Sequence, residues 1–109
     1  MPDIVKVLGQ SSPGAASLTT LYTSPAATQV VASSLSICNR SATATSFRVA
    51  IRPAGAAVAD EHYLYHDMPL AGNDTFVATI GFTLAATDVV SVYAALATLS
   101  FQVFGVERT

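Results

Sequence analysis

Tryptophan is absent from the 109 residues, and cysteine occurs once, at Cys38. A single thiol cannot close an internal disulfide, so packing and backbone pairing must hold the fold. Charge is scarce as well: five Lys and Arg against seven Asp and Glu give 5 − 7 = −2. That balance offers no basic footprint for a phosphate backbone, and nucleic acid is not expected as a partner. Although 51% of the residues are hydrophobic and the mean hydropathy is +0.50, no apolar run reaches the roughly 18 residues of a membrane helix. No membrane insertion is expected. The opening MPDIVKVLGQ places Asp3 and Lys6 where a signal peptide carries a basic lead and a continuous apolar segment, so export by that route is not expected either. The G-x-S-x-G elbow, the Walker loop, the dinucleotide fingerprint and the C-x-x-C pair are all missing. Their absence leaves hydrolase, nucleotide-binding and redox chemistry without motif support, and the reading is of a non-enzyme with no cofactor.

What the chain does contain is Ala, Thr, Val and Ser in abundance, with five Phe and four Tyr. Small and β-branched residues suit pleated strands better than long helices. Alternation predicts where the strands run. In residues 75–84, Phe76, Ala78, Ile80, Phe82 and Leu84 share one face; in 46–53, Phe47, Val49 and Ile51 oppose Ser46, Arg48 and Arg52. Residues 29–38 align Val31, Ser33, Leu35 and Ile37 and run into Asn39-Arg40-Ser41, which favours a turn through side-chain bonds to its own backbone. Residues 88–96 (Val90, Val92, Ala94, Leu96) and 98–104 (Leu99, Phe101, Val103) suggest a hairpin, although the alanines of 84–97 would also tolerate a helix. Shorter candidates are 4–8, 18–23 and 62–67. Gly72-Asn73-Asp74 punctuates the chain before Phe76, because Gly and Asn tolerate positive φ. Pro2, Pro13, Pro25, Pro53 and Pro69 fall at or outside the ends of these runs.

The expectation is an all-β fold, an antiparallel, jelly-roll-like β-sandwich of seven or eight short strands. Residues 1–17 form an N-terminal arm whose 4–8 segment is free to pair with a neighbour, and 18–109 form one sandwich domain.

Few residues are candidates for chemistry. His62 and His66, four apart beside Asp60, Glu61 and Asp67, would suit zinc on a helix, but on a strand that spacing separates them by ~13 Å. No metal is therefore expected. Cys38 reads as a small hydrophobe, since nothing near it in sequence lowers its pKa. Asn39-Arg40-Ser41 and Asn73-Asp74-Thr75 match the glycosylation sequon but read as turns. Arg40, Arg48 and Arg52 are candidate anchors for a carboxylate on a neighbouring subunit, because a guanidinium binds bidentately. A β-domain with so little charge is poorly defended against association. A homo-oligomer, as a trimer or a ring, is expected, with Tyr22, Arg48, Arg52, Tyr63, Tyr65 and His66 as candidate interface residues.

The stretches KVLGQ, LTTLYTSPAATQVVASSLSICNRSATATSFRVAIRPAGAA, HYLYHDMPLAGNDTF and TLAATDVVSVYAALATLSFQVFG resemble a group of small tailed-bacteriophage virion proteins. Its LYT-x-PA opening, CN turn, RPAGAA segment and LAATDVVSVY motif occur here in the same order, from Lys6 to Gly105. One departure is Ser24, where the group more often carries valine. The resemblance implies a structural part of the virion, made in the bacterial cytoplasm and acting as a symmetric oligomer with other virion proteins on the tail, neck or baseplate, as a fibre or fibre adaptor. A capsid decoration or cement protein is the alternative, and a host-glycan-binding module a third reading.

Overall fold

The computed structural model describes residues 3–109; Pro2, which the sequence sets outside any strand, lies outside the described residues. Among the described residues nine strands follow one another: β1 (Asp3–Ser11), β2 (Thr19–Thr23), β3 (Gln29–Asn39), β4 (Thr45–Arg52), β5 (Tyr63–Leu70), β6 (Thr75–Ala78), β7 (Phe82–Leu84), β8 (Val89–Ala94) and β9 (Leu99–Arg108). All pairings are antiparallel. One sheet runs β1-β9-β3-β6, with β7 also on β3, and the other runs β2-β8-β4-β5. Counting β6 and β7 as one interrupted strand, each sheet has four strands and the chain crosses repeatedly between them. This is the strand order of a jelly roll.

The alternating residues supply the core. Val30, Ala32, Leu35, Ile37, Leu99, Phe101 and Val103 of the first sheet meet Phe47, Val49, Val90, Val92 and Ala94 of the second, each at most 1% exposed. Phe47 lies at the centre, 6.3 Å from the Phe101 ring across the sandwich and 5.4 Å from Phe76. Tilted and edge-on rings at this spacing place positive edges on negative faces.

Several local expectations are corrected, two of them for one cause. A bulge inserts one residue and reverses the side-chain phase. In β3 the register with β9 slips between Ala32 and Ser34, so Val30, Ala32, Leu35 and Ile37 face inward while Val31 is exposed. Val31 and Ser33 do not share the face of Leu35. Residues 75–84 are broken at 79–81, which turns Ile80 outward at 57% exposure while Ala78 and Leu84 stay buried. The predicted hairpin does not form: β8 and β9 lie in opposite sheets, and residues 95–98 cross between them. Residues 84–97 contain a turn and β8 rather than a helix. Residues 4–8, expected to stand free, lie in β1 and pair with β9 along its length. Pro69 falls inside β5, where an edge strand tolerates it.

The connections at each end are joined by a few polar side chains. Asn39, 2% exposed, donates through Nδ2 to the Thr43 and Ala71 carbonyls at 2.9 and 3.2 Å, and its Oδ1 accepts the Ser41 N–H at 3.1 Å. The last bond is the turn the sequence predicts. Arg40 donates to Ser12 Oγ at 2.8 Å and to the Ala97 carbonyl at 3.2 Å. Two adjacent residues thus tie together all four connections at that end. The Asn73 N–H donates to the Ser41 carbonyl at 2.7 Å, with Asn73 at φ 55°. Gly72 is obligatory there, because a Cβ would lie 2.0 Å from the Ala42 carbonyl oxygen. At the opposite end Asp88 accepts the Ala54 and Ala85 N–H groups, each at 2.9 Å.

Candidate functional site

Two surfaces and one inward-facing cluster stand out, and the residues singled out by the sequence divide among the first surface, the interior and the connections. The first surface is the outer face of the β2-β8-β4-β5 sheet. Arg48 and Arg52 alternate with buried Phe47 and Val49, so both project outward, as the periodicity requires. Opposite Arg48 the register of β5 slips, and the two residues His66 and Asp67 face that one arginine. Asp67 adopts φ 51°, a conformation Asp tolerates better than most residues. The bulge brings its carboxylate onto the guanidinium, where Nε donates to Oδ1 at 2.7 Å and Nη2 to Oδ2 at 3.3 Å. Arg48 also stacks over the Tyr93 ring at 4.4 Å. The guanidinium holds the Asp67 carboxyl below the usual carboxylate range, and Asp67 in turn raises the Arg48 pKa. His66 packs edge-on against Tyr63 at 4.8 Å. Arg52 donates to Ser91 Oγ at 3.0 Å and to the Ala56 carbonyl at 3.1 Å.

Arg48, Arg52, Tyr63 and His66 therefore share one patch with Tyr93, which the sequence does not single out, and Asp67, which the sequence names only beside His62 and His66 as a metal candidate. The other two candidates face inward. A second slip in β5, at Leu64, puts Tyr63 opposite Ala50 and Tyr65 opposite Val49. Tyr65 then meets Phe47 at 6.1 Å and Phe76 at 5.2 Å. Tyr22 is 8% exposed, and its hydroxyl donates to Glu107 Oε2 across the sandwich. Arg40, a candidate anchor for a partner's carboxylate, is spent on its own chain's loops.

Tyr22, Glu107 and Lys6 form the inward cluster. Lys6 Nζ donates to Glu107 Oε1 at 3.3 Å, so the carboxylate of a residue 8% exposed is satisfied from both sheets. The Tyr22 bond, with help from Lys6, lowers the Glu107 pKa; burial, with the carboxylate beside it, raises that of Tyr22. Nothing in local sequence joins residues 85 positions apart.

The second surface is the outer face of the β1-β9-β3-β6 sheet, apolar around Val5 and polar where Gln10 bonds Gln102 at 3.1 Å. Val5 is 80% exposed, Val77 58%, Val7 45% and Val31 41%. Val5, Val106, Val31 and Thr83 stand side by side across β1, β9, β3 and β7. Half-buried Phe104 adjoins Val7. The row through Val5, Val106 and Val31 is a candidate interaction surface.

His62 lies in a 3-10 turn, where its Nδ1 accepts the Ala59 N–H at 3.1 Å. Among the described residues no group of three or more His, Cys, Asp and Glu side chains is placed to hold a metal ion. A cleft of about 310 Å³ lies between β3 and β7 beside Arg108. Comparison with protein-family models, curated proteins and solved structures finds no match to this chain.

Proposed function

We propose that this chain is a non-enzymatic structural component of a tailed-bacteriophage virion, a homo-oligomer that docks on the tail, neck or baseplate, as a fibre or fibre adaptor. The observation that carries the reading is the outer face of the β1 sheet, where Val5, Val7, Val31 and Val77 lie exposed on one side of a rigid sandwich. Apolar side chains held on a sheet present an assembly surface that costs little ordering entropy when a partner covers it. The ordered series of motifs from Lys6 to Gly105, which resembles that of small tailed-bacteriophage virion proteins, supports the phage setting. The same features suit a capsid decoration protein, which differs in location and copy number. Cryo-electron microscopy of purified particles separates the two. A few to tens of copies on the tail, neck or baseplate support the leading reading, hundreds on the shell move the protein to decoration, and absence from the particle rejects both.

A host-glycan-binding role has one observation in its favour, the patch of Tyr63, Tyr93, Arg48, Asp67 and His66 on the opposite sheet. Tyrosine faces beside charged hydrogen-bonding groups are the components of a sugar subsite. Glycan-array binding lost in Tyr63→Ala and Tyr93→Ala supports that role; equal binding by the variants removes it.

A further inference from the structure

We infer that the outer edge of β1 is the surface through which two copies of this chain associate, strand against strand about a two-fold axis. The inference rests on the oligomeric reading above and adds the partner's position. Of the four sheet edges, three are closed to strand addition. β5 carries two register slips and Pro69. The β6–β7 edge is broken at 79–81. β2 has only five residues, with a slip between Thr20 and Tyr22. Among the described strands β1 pairs only with β9; its one slip lies between Val7 and Gly9, so Asp3–Val7 is a regular stretch whose other side presents unpaired N–H and C=O groups. Lysine on an edge normally repels a second strand. Here Lys6 is drawn inward onto Glu107 at 3.3 Å, and Asp3 is paired with Arg108 at 3.1 Å. Two β1 strands therefore meet without net charge between them.

A ring or trimer built by strand addition needs a second, complementary edge, and the described strands leave none open. Isologous pairing needs only β1. Register is limited by pleat and charge: outward residues must face outward residues, and an axis through Lys6 would oppose two like charges. An axis at Val5 avoids this, setting Val5 against its copy, Asp3 against Val7 and Ile4 against the Lys6 stem. It covers Val5, the most exposed large hydrophobic residue of those described, and Ile4 at 49%. The contact is smaller than the ~800 Å² per partner of a standard interface, so the dimer dissociates on dilution.

Sedimentation velocity of the full chain across the micromolar range tests this. The expected result is a species of twice 11.3 kDa that falls to monomer on dilution. Val5→Lys should be monomeric throughout, while Ile80→Lys, also exposed (57%) but at the far edge of the same sheet, should dimerise like the wild type. Hydrogen exchange should show the open-edge amides within residues 3–7 slowed in the dimer and fast in Val5→Lys. A wild type that stays monomeric, a trimer or ring, or a dimer that survives Val5→Lys overturns the inference. The virion reading fails separately, by absence of the chain from purified particles.

Discussion

Asn39 shows how much one side chain can do when it is buried at a junction. Its amide bonds three backbone groups from two connections, and removing it leaves the Thr43 and Ala71 carbonyls without those donors. Asn39→Ala should cost about 2–4 kcal/mol in urea unfolding, since each stranded buried group costs about 1–3 kcal/mol. Ser24, at the one departure from the virion-protein pattern, is 1% exposed and donates to the Thr28 carbonyl at 3.2 Å; valine there would pack but lose that bond. Tyr22 and Glu107 set the pH response. The Glu107 carboxyl is held below its ordinary range, so its contribution to stability is present above the unfolded carboxylate pKa and is lost as pH falls through the lower folded value. The Tyr22 phenol is pushed up, so its contribution is present below the ordinary phenol pKa and is lost as pH rises toward the folded value. Tyr22→Phe should cost about 1.5–3 kcal/mol at neutral pH, the range for a hydrogen bond to a charged group. It should also raise the Glu107 pKa, so acid unfolding begins at higher pH. Thermal melts across pH and NMR titration of the Glu107 carboxyl check both; an unchanged acid limb would show that Lys6 alone holds the carboxylate.

Elements are shaped by where they bulge. The slips in β1, between Val7 and Gly9, and in β3, between Ala32 and Ser34, flank Phe104 and Gly105 of β9, with the β6–β7 break on the far side of β3. The irregularities thus line up across the whole sheet, bending it where two strands approach closely. Gly105 sits at that crease, and a Cβ there would lie 2.2 Å from the Val31 carbonyl oxygen and 2.8 Å from the Ala32 Cα. Both are backbone atoms, so the strand itself must move. Gly105→Ala should cost at least the ~1–3 kcal/mol of an overpacked core, read as a lowered midpoint in urea with the slope unchanged. On the other sheet, the β5 bulge that sets His66 and Asp67 against Arg48 is what assembles the charged patch.

The whole molecule is a sandwich whose inside and outside are both apolar in places, and the two should respond in opposite ways. Phe101 is fully buried, so Phe101→Ala should cost roughly 3–5 kcal/mol. A domain of this size is typically stable by only about 5–15 kcal/mol, and that loss brings it near unfolding. Ile80→Thr, at a residue 57% exposed, should change stability by no more than about 0.5 kcal/mol. Differential scanning calorimetry of the two variants checks the pair, and a large loss for Ile80→Thr would mean that this face is covered in solution.

How much of this was legible depended on the range of the interaction. Alternation in residues 46–51 and 99–103 placed Phe47, Val49, Leu99, Phe101 and Val103 correctly inside, because period two is a local property of an extended chain. The Asn39 turn was legible for the same reason, its bond reaching only two residues along. Phase was lost at Ser33, Leu64 and Ile80, since a bulge depends on the neighbouring strand rather than on the residues before it. The 88–104 hairpin was misplaced because adjacency in sequence does not decide whether a strand pairs or crosses the sandwich. Candidate residues divided in the same way: Arg48 and Arg52 were on the polar face that alternation assigned, whereas Tyr22 and Tyr65 turned inward. The sequence by itself determined an all-β chain without disulfides and with little charge, through composition and two-residue periodicity. Only the tertiary structure decided the crossing of β8 to β9, the Tyr22–Glu107–Lys6 cluster and the open edge of β1, because each is made by residues far apart in the chain whose meeting no local pattern encodes.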